Sequence, residues 1–272
     1  MKNTEKTSSL SGRQLSLAVF LFTISLSSFS QQKEVIYSEA VEDPWKVKHI
    51  GGVITATNNG VSLLPSFTLN KPALMFDLSM GNKKMSFDPM LRFSMEGKPW
   101  AFIFWWRYKV VKMPKFTFNV GAHPALIFRN SPMMVNGISR DVITAQRYLA
   151  AEVVPNYWIT KNTSVGIYYL HSGGLEPGTI KSTNFITLNA NFNYLPVSEQ
   201  LFFRFNPQVF YLKMDSRDGY YITSTLTLAK KQSPWALQSI VNQALRTNII
   251  TKSDFIWNVS LIYSFRSEFR KP

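Results

Sequence analysis

Residues 255–265 read Phe-Ile-Trp-Asn-Val-Ser-Leu-Ile-Tyr-Ser-Phe, and this stretch decides the fold. Every odd-numbered position carries a bulky apolar or aromatic side chain, while Asn258, Ser260 and Ser264 occupy even-numbered positions. A period of two residues predicts a β-strand with two different faces. Large apolar groups in a row on an exposed strand promote aggregation in water, but they are favourable on a membrane barrel that faces lipid. The stretch therefore predicts a strand whose outer face contacts hydrocarbon.

The stretch 255–265 resembles the final strand of bacterial outer-membrane β-barrel proteins, which carries aromatic residues at alternate positions. The resemblance implies that this strand pairs with the first strand, removes the sheet edge and helps the barrel-assembly machinery to recognise the chain. The barrel-closing residues implied in this way are Phe255, Trp257, Val259, Leu261 and Phe265. The resemblance is to an architecture, and it covers roughly residues 61–265.

The N-terminus has the pattern of a signal peptide. Lys2, Lys6 and Arg13 precede a largely apolar run from Leu15 to Leu26, and small residues follow at 28–30. This run is too short to span a bilayer as a helix. We predict a signal peptide at 1–30, a periplasmic or lumen-associated segment at 31–60, and a barrel domain at 61–272.

The rest of the chain repeats the alternation with regular turn signals, which predicts an all-β fold: an antiparallel, up-and-down transmembrane β-barrel of about twelve strands. The predicted strands are 61–69, 73–80, 84–95, 99–111, 115–129, 141–158, 163–172, 183–195, 200–214, 219–230, 235–246 and 254–265. Counted from the last strand, the connections 81–83, 112–114, 159–162, 196–199 and 231–234 are tight. The alternate set contains the longer connections 130–140, 173–182 and 247–253. Outer-membrane barrels have this asymmetry of short periplasmic turns and longer outer loops.

A soluble β-sandwich or lipocalin-like barrel would show the same bare alternation. The placement of aromatic residues near predicted strand ends favours the membrane barrel, because aromatic girdles mark both membrane interfaces. The predicted girdle residues are Trp100, Tyr108, Trp158, Trp235 and Tyr263.

The sequence is basic, with a formal net charge of +14 at pH 7, and it has no cysteine. Such an excess in a cytosolic protein would indicate nucleic acid, but the signal peptide argues against that partner. The expected partners are outer-membrane lipids and lipopolysaccharide, the assembly machinery, and small solutes.

If the bulky set faces lipid, the opposite set faces the barrel interior. The predicted lumen-lining residues are Asp77, Asp88, Arg92, Lys109, Asn119, His123, Glu152, Asn189, Asn191, Arg204, Asn206 and Gln208. Amides and hydroxyls hydrogen-bond hydrated solutes, and arginine or lysine biases passage towards anions. The competing interpretation is that these groups close the lumen with internal salt bridges, for example Asp88 or Glu152 with Arg92 or Arg204.

Some outer-membrane barrels hydrolyse lipids with a His-x-Ser arrangement at the outer rim. The nearest feature here is His171-Ser172, whose adjacent side chains would point to opposite faces of a strand. Three histidines are scattered, and neither a metal-binding spacing nor a phosphate-binding glycine loop occurs in the sequence. The sequence predicts neither a catalytic residue nor a cofactor.

These patterns predict a non-enzymatic, porin-like protein of the outer membrane of a Gram-negative bacterium, passing small hydrophilic solutes, anionic ones included. The first alternative is a closed barrel that serves as a structural or interaction component of the envelope. A lipid hydrolase is the second.

Overall fold

The computed structural model describes residues 47–269 except 63, 136 and 137. The predicted signal peptide at 1–30 lies outside the described residues. Twelve antiparallel strands and one short 3-10 helix, Pro65–Phe67, make up the regular structure of the described chain. The strands are β1 (His49–Thr57), β2 (Ala73–Gly81), β3 (Met85–Ser94), β4 (Pro99–Lys112), β5 (Phe116–Val135), β6 (Ile138–Trp158), β7 (Thr163–Gly174), β8 (Thr183–Pro196), β9 (Leu201–Met214), β10 (Arg217–Lys230), β11 (Trp235–Thr247) and β12 (Phe255–Glu268).

The strands form a closed barrel in which each strand pairs with its neighbours in the sequence. The ring closes between β1 and β12, where Gly51 lies opposite Arg266 and Thr57 lies opposite Ser260. Because the number of strands is even, β1 begins at the same end of the barrel at which β12 finishes. The predicted antiparallel barrel of about twelve strands is confirmed.

The two faces of β12 differ as the sequence predicts. Phe255, Trp257, Val259, Leu261 and Phe265 are all exposed on the outer surface of the barrel. On the opposite face, Asn258 and Ser260 are almost completely buried. Pairing with β1 removes the free sheet edge that this apolar strand would otherwise present.

The first strand of the wall is not the one predicted. Residues 49–57, which we expected outside the wall as part of the segment 31–60, form β1. Residues 61–69, predicted as the first strand, instead contain the 3-10 helix and lie in the connection between β1 and β2. The predicted total of twelve strands is right because one strand was missed, at 49–57, and one was predicted where there is none, at 61–69.

The connections fall into two classes at opposite ends of the barrel. At the end that holds both termini, which we call the terminal end, the turns are 82–84, 113–115, 159–162, 197–200 and 231–234. Four of these five turns carry exposed lysines, namely Lys83, Lys84, Lys115, Lys161 and Lys231. The opposite end, which we call the loop end, has the longer connections 58–72, 175–182 and 248–254.

The predicted loop 130–140 is an exception. Its described residues continue β5 and β6 as a paired ribbon, from Asn130 opposite Ile143 to Val135 opposite Ile138. These pairs lie beyond Ile127, the last residue of β5 that pairs with β4, and beyond Tyr148, the last residue of β6 on this side that pairs with β7. The chain therefore extends the hairpin above the wall at the loop end, where a loop was expected.

A charge on the outer face of β12 should be costly. Val259 lies near the middle of the strand and is exposed on the apolar surface. We expect Val259→Arg to lower the free energy of unfolding in lipid vesicles by about 2–4 kcal/mol, the cost of a basic side chain at the bilayer midplane. Urea titration of the refolded protein measures this change.

Phe265→Arg, near the terminal end of the same face, is the matched control, and its cost should fall to roughly 0–1 kcal/mol because it lies close to the interface. Equal costs at the two positions would contradict a lipid-facing band centred on Val259.

Among the described residues, no helix has the length and apolar character needed to cross a bilayer.

Candidate functional site: the barrel interior

The strand registers define which side chains face the interior. All twelve predicted lumen-lining residues occupy inward positions on β2, β3, β4, β5, β6, β8 and β9. Six of them are buried: His123, Glu152, Asn189, Asn191, Asn206 and Gln208. Arg204 is exposed, and 33% of the Asp77 side chain is accessible to solvent even though it faces inward. The interior therefore contains space that a water molecule can reach.

A charged network occupies the interior side of β3, β4 and β6, and its centre is Arg107. Arg107 Nη1 lies 2.9 Å from Asp88 Oδ2, and Arg107 Nε lies 2.7 Å from Glu152 Oε1. The Tyr168 hydroxyl donates to the other oxygen of Glu152 at 2.7 Å, and Ser79 donates to Asp88 at 2.6 Å. Each carboxylate thus has both a cation and a hydroxyl donor, and such pairing and hydrogen bonding offset the cost of burying a charge.

The competing interpretation, in which internal salt bridges close the lumen, gave Arg92 and Arg204 as examples of partners for these carboxylates. The partner in the structure is Arg107. Arg107 was not among the predicted lumen-lining residues, although it is two residues from the predicted Lys109 and therefore shares its face.

Gly121 allows the network to form. It is paired with both Arg107 on β4 and Glu152 on β6, so the two side chains meet across its position. A Cβ at residue 121 would lie 2.8 Å from Glu152 Oε1 and 3.2 Å from Arg107 Cγ. The absence of a side chain on β5 lets an ion pair bridge two strands that are not neighbours.

A second, looser pair lies next to this network. Arg92 Nη2 is 3.9 Å from Asp77 Oδ1, and the Arg92 guanidinium stands 5.6 Å from the centre of the Trp100 ring. Neither Asp77 Oδ1 nor Arg92 Nε has a hydrogen-bond partner within the protein. Both of these atoms are buried, so this pair leaves hydrogen-bonding capacity unused beside the Arg107 network.

The opposite wall of the interior carries amides and hydroxyls, and its charged side chain Arg204 lies towards the terminal end. Asn206 donates to Asn191 at 2.9 Å, and Asn191 donates to Ser164 at 2.8 Å. Gln238 donates to Thr227 at 3.0 Å, and Asn258 is buried on the same side. Amide and hydroxyl groups of this kind replace part of the hydration shell of a small polar solute.

From the middle of the barrel to the loop end, the interior becomes apolar. Aromatic and aliphatic side chains from β4 and from β6 to β10 form one buried cluster with a residue of the β11–β12 connection. The cluster consists of Trp105, Ala150, Tyr168, Leu170, Phe185, Phe210, Leu212, Met214, Tyr221 and Ile249. This cluster departs from the prediction, in which the bulky side chains of every strand face lipid.

The connection between β1 and β2 enters this apolar region. We call residues 61–70, apart from the undescribed residue 63, the inserted segment. The Phe67 ring contacts Tyr148 edge to face at 5.7 Å, and its carbonyl accepts a hydrogen bond from the Trp100 indole at 2.9 Å. Ser66 donates to Met214 Sδ at 3.2 Å. The segment thus touches β4, β6 and β9, and it narrows the interior at the loop end.

At the terminal end, the interior is basic and aromatic. The Arg204 guanidinium lies 5.4 Å from the centre of the Phe202 ring, and Phe202 contacts Tyr194 at 5.1 Å. Within the described part of the chain, no carboxylate lies within 4 Å of Arg204. An anion that approaches from this end meets a guanidinium whose charge is not neutralised.

The predicted aromatic girdle is only partly where we expected it. Tyr108, Trp235 and Tyr263 lie on the outer surface near the terminal end, and the Trp235 and Tyr263 rings are 4.8 Å apart. Trp100 was predicted wrongly, because a register shift near Arg92 and Phe93 turns it inward, where only 4% of it is exposed. Trp158 was also predicted wrongly, because it lies opposite the buried Ser164 on the inward face.

The arrangement at His171 and Ser172 does not form a hydrolase pair. His171 is exposed on the outer face and contacts Asn184 Oδ1 at 3.1 Å, while Ser172 is buried on the inward face. A general base must lie within hydrogen-bond distance of the hydroxyl that it activates. Within the described ranges, no group of three or more metal-ligating side chains is close enough together to hold a metal ion.

The apolar exterior and the closed ring of twelve strands around a partly polar interior define a transmembrane antiparallel β-barrel. Among solved structures, the chain is similar to KdgM porin in complex with disordered oligogalacturonate, with 13% identity over 80% of this chain and 99% of that chain and a TM-score of 0.50. It is also similar to NanC porin (10% identity, 80% and 100% coverage, TM-score 0.45). A loop-deletion mutant of OmpT, an outer membrane protein of Vibrio cholerae, gives 8% identity, 83% and 100% coverage and a TM-score of 0.44.

No protein-family model matches the sequence, and no curated protein matches it. At 13% identity, the similarity to KdgM porin concerns the fold alone.

Proposed function

We propose that this protein is an outer-membrane porin that passes small hydrophilic solutes and prefers anions. The observation that carries the proposal is the polar inward face with water-accessible surface on Asp77 and Arg204. A barrel that served only as a scaffold would gain stability from an apolar filling along its whole length, because buried charges are costly. The polar half of the interior is therefore a feature that passage explains.

Anion preference follows from the balance of charges along the interior. The carboxylates Asp88 and Glu152 are neutralised by Arg107, and Asp77 lies beside Arg92. Arg204 remains as a cation without a carboxylate partner among the described residues. Cations that line a pore attract anions and repel cations.

The cellular location is part of the same proposal. The signal-peptide pattern at 1–30 indicates export, and the apolar exterior requires a bilayer. Outer-membrane lipids and lipopolysaccharide would contact this exterior, and β12 would be the signal for the barrel-assembly machinery. The terminal end would then face the periplasm, and the loop end would face the outside.

The test is planar-bilayer recording of the refolded mature chain in a salt gradient. We expect steady conductance steps with a reversal potential that indicates anion preference. Arg204→Glu should lower the anion-to-cation permeability ratio several-fold, because each unit charge at about 4 Å in water contributes about 1 kcal/mol.

Lys213→Glu is the matched control, because Lys213 lies on the outward face of the same strand and the change in charge is identical. A reversal potential that moves equally in both variants would argue against Arg204 as a lumen cation. A folded protein that never conducts would refute passage.

A closed barrel is the second candidate, and the inserted segment favours it. The contacts of Phe67 and Ser66 with β4, β6 and β9 place chain across the interior at the loop end. In that case, the barrel would present its loops to a partner while the interior stayed sealed. The removal of this segment, considered in the Discussion, distinguishes a narrowed pore from a sealed one.

A further inference from the structure

A cleft of about 290 Å³ opens at the loop end, at the mouth of the interior. Its walls come from the inserted segment, from the turn between β3 and β4, and from β5. The groups that matter for recognition are Lys71, Ser94, Lys98, Trp100 and Arg129. The volume is at the lower limit of small-molecule pockets, so it fits a ligand with one ring or a short chain.

The charge of the cleft is positive. Lys71 Nζ and Lys98 Nζ share one carboxylate, that of Glu96, at 3.0 and 3.4 Å. Hydrogen bonds from Lys71 and Lys98 lower the pKa of the Glu96 carboxyl, so Glu96 remains ionised at neutral pH. Arg129 adds a third cation, and no carboxylate of the described residues lies within 4 Å of it. The cleft therefore has two positive charges more than negative ones.

The wall of the cleft provides a hydrogen-bonding group that the protein does not use. Ser94 is 6% exposed, and its hydroxyl oxygen has no hydrogen-bond partner. A buried polar group without a partner has a free-energy cost. A bound molecule with a polar group would remove this cost.

The remaining wall is held rigidly and is largely apolar. The Trp100 indole is fixed by its hydrogen bond to the Phe67 carbonyl at 2.9 Å. The Arg129 guanidinium stands 5.4 Å from the centre of the Phe67 ring, and Ile127 completes this side. An apolar body can pack here while its charged group reaches Arg129.

We propose that this cleft binds a small carboxylate with an apolar body, held by Arg129 and by the hydroxyl of Ser94. Arginine forms two parallel hydrogen bonds to a carboxylate, which gives the site a preference over neutral isosteres. The site would concentrate such anions at the loop end. Binding there does not depend on whether the barrel conducts, so this proposal and the porin proposal can fail separately.

The test is isothermal titration of the refolded full barrel in detergent with benzoate and with benzamide, which has the same shape without the charge. We expect benzoate to bind and benzamide to bind at least roughly tenfold more weakly, because hydrogen bonds between two charged groups are stronger than those to a neutral group. Arg129→Gln should weaken benzoate binding by a similar factor, and Ser94→Ala should weaken it less.

Arg147→Gln is the matched control. Arg147 lies at the same end, pairs with Glu176 and does not line the cleft. Its loss should leave benzoate affinity unchanged. Equal affinity for benzoate and benzamide, no binding of either compound, or an equal loss in Arg129→Gln and Arg147→Gln would each overturn the proposal. Retained heat-modifiable migration in gels shows that each variant is folded.

Discussion

Arg107→Met should lower the free energy of unfolding of the barrel by about 3–5 kcal/mol, the range for removing one partner of a buried ion pair. Arg107 is the common cation of Asp88 and Glu152, at 2.9 and 2.7 Å. Without it, two inward-facing carboxylates lose their counter-ion. Urea titration of the refolded protein in vesicles, followed by tryptophan fluorescence, measures the loss.

The triple variant Arg107→Met, Asp88→Asn, Glu152→Gln is the control that isolates the charge. It removes all three charges and keeps similar side-chain volumes, so most of the lost stability should return. Tyr168 and Ser79 can still hydrogen-bond to the amides that replace the carboxylates. A triple variant as unstable as Arg107→Met would show that the packing of Arg107, including its contact with the Trp105 ring at 4.5 Å, matters more than its charge.

Excision of the inserted segment should raise the conductance of the barrel several-fold. Gly60 donates a backbone hydrogen bond to the Lys71 carbonyl at 2.8 Å, and Leu69 donates to the Gly60 carbonyl at 2.9 Å. The two ends of the segment are therefore adjacent. Residues 61–70 can be replaced by Asn-Gly, the sequence preferred in two-residue hairpin turns. Single-channel recording compares this variant with the intact chain.

Point variants check that the effect comes from blocking the interior. Phe67→Ala removes the ring that contacts Tyr148 and should raise conductance less than the excision does. Met95→Ala, an exposed apolar residue at the same end, should change nothing. If the intact chain is silent and the excised chain conducts, the segment seals the pore. If both are silent and folded, the apolar cluster closes the barrel, and the porin proposal fails.

The wall could be predicted from the sequence because alternation carries most of the information about a lipid-facing sheet. Strands β2 to β4 and β6 to β12 begin and end within three residues of the predicted positions. The first strand was missed because Gly51 and Gly52 break the alternation in β1. Residues 61–69 imitated a strand, because Val61, Pro65, Phe67 and Leu69 also lie on odd positions. In the fold, Phe67 packs inside the barrel at the loop end, where apolar contacts are available without lipid.

The interior was harder to predict, because the odd or even position of a residue in a strand shows which face it is on but not which side chains it contacts. The positions of Asp88, Glu152 and the amides follow from the alternation, but the pairing with Arg107 depends on Gly121, which brings β4 and β6 side chains together. The inward position of Trp100 depends on a local register shift between β3 and β4. The ribbon of β5 and β6 depends on pairing that continues beyond the wall. These features come from contacts across strands, which a single strand pattern does not encode.

The lysines in the turns of the terminal end make that rim of the barrel positive. Lys83, Lys84, Lys115, Lys161 and Lys231 are exposed, and moving a lysine through the bilayer centre costs about 2.5–3.5 kcal/mol on insertion scales. The turns of the terminal end are therefore anchored in the layer of water and headgroups, where a lysine near an anionic lipid surface contributes about 1 kcal/mol of attraction.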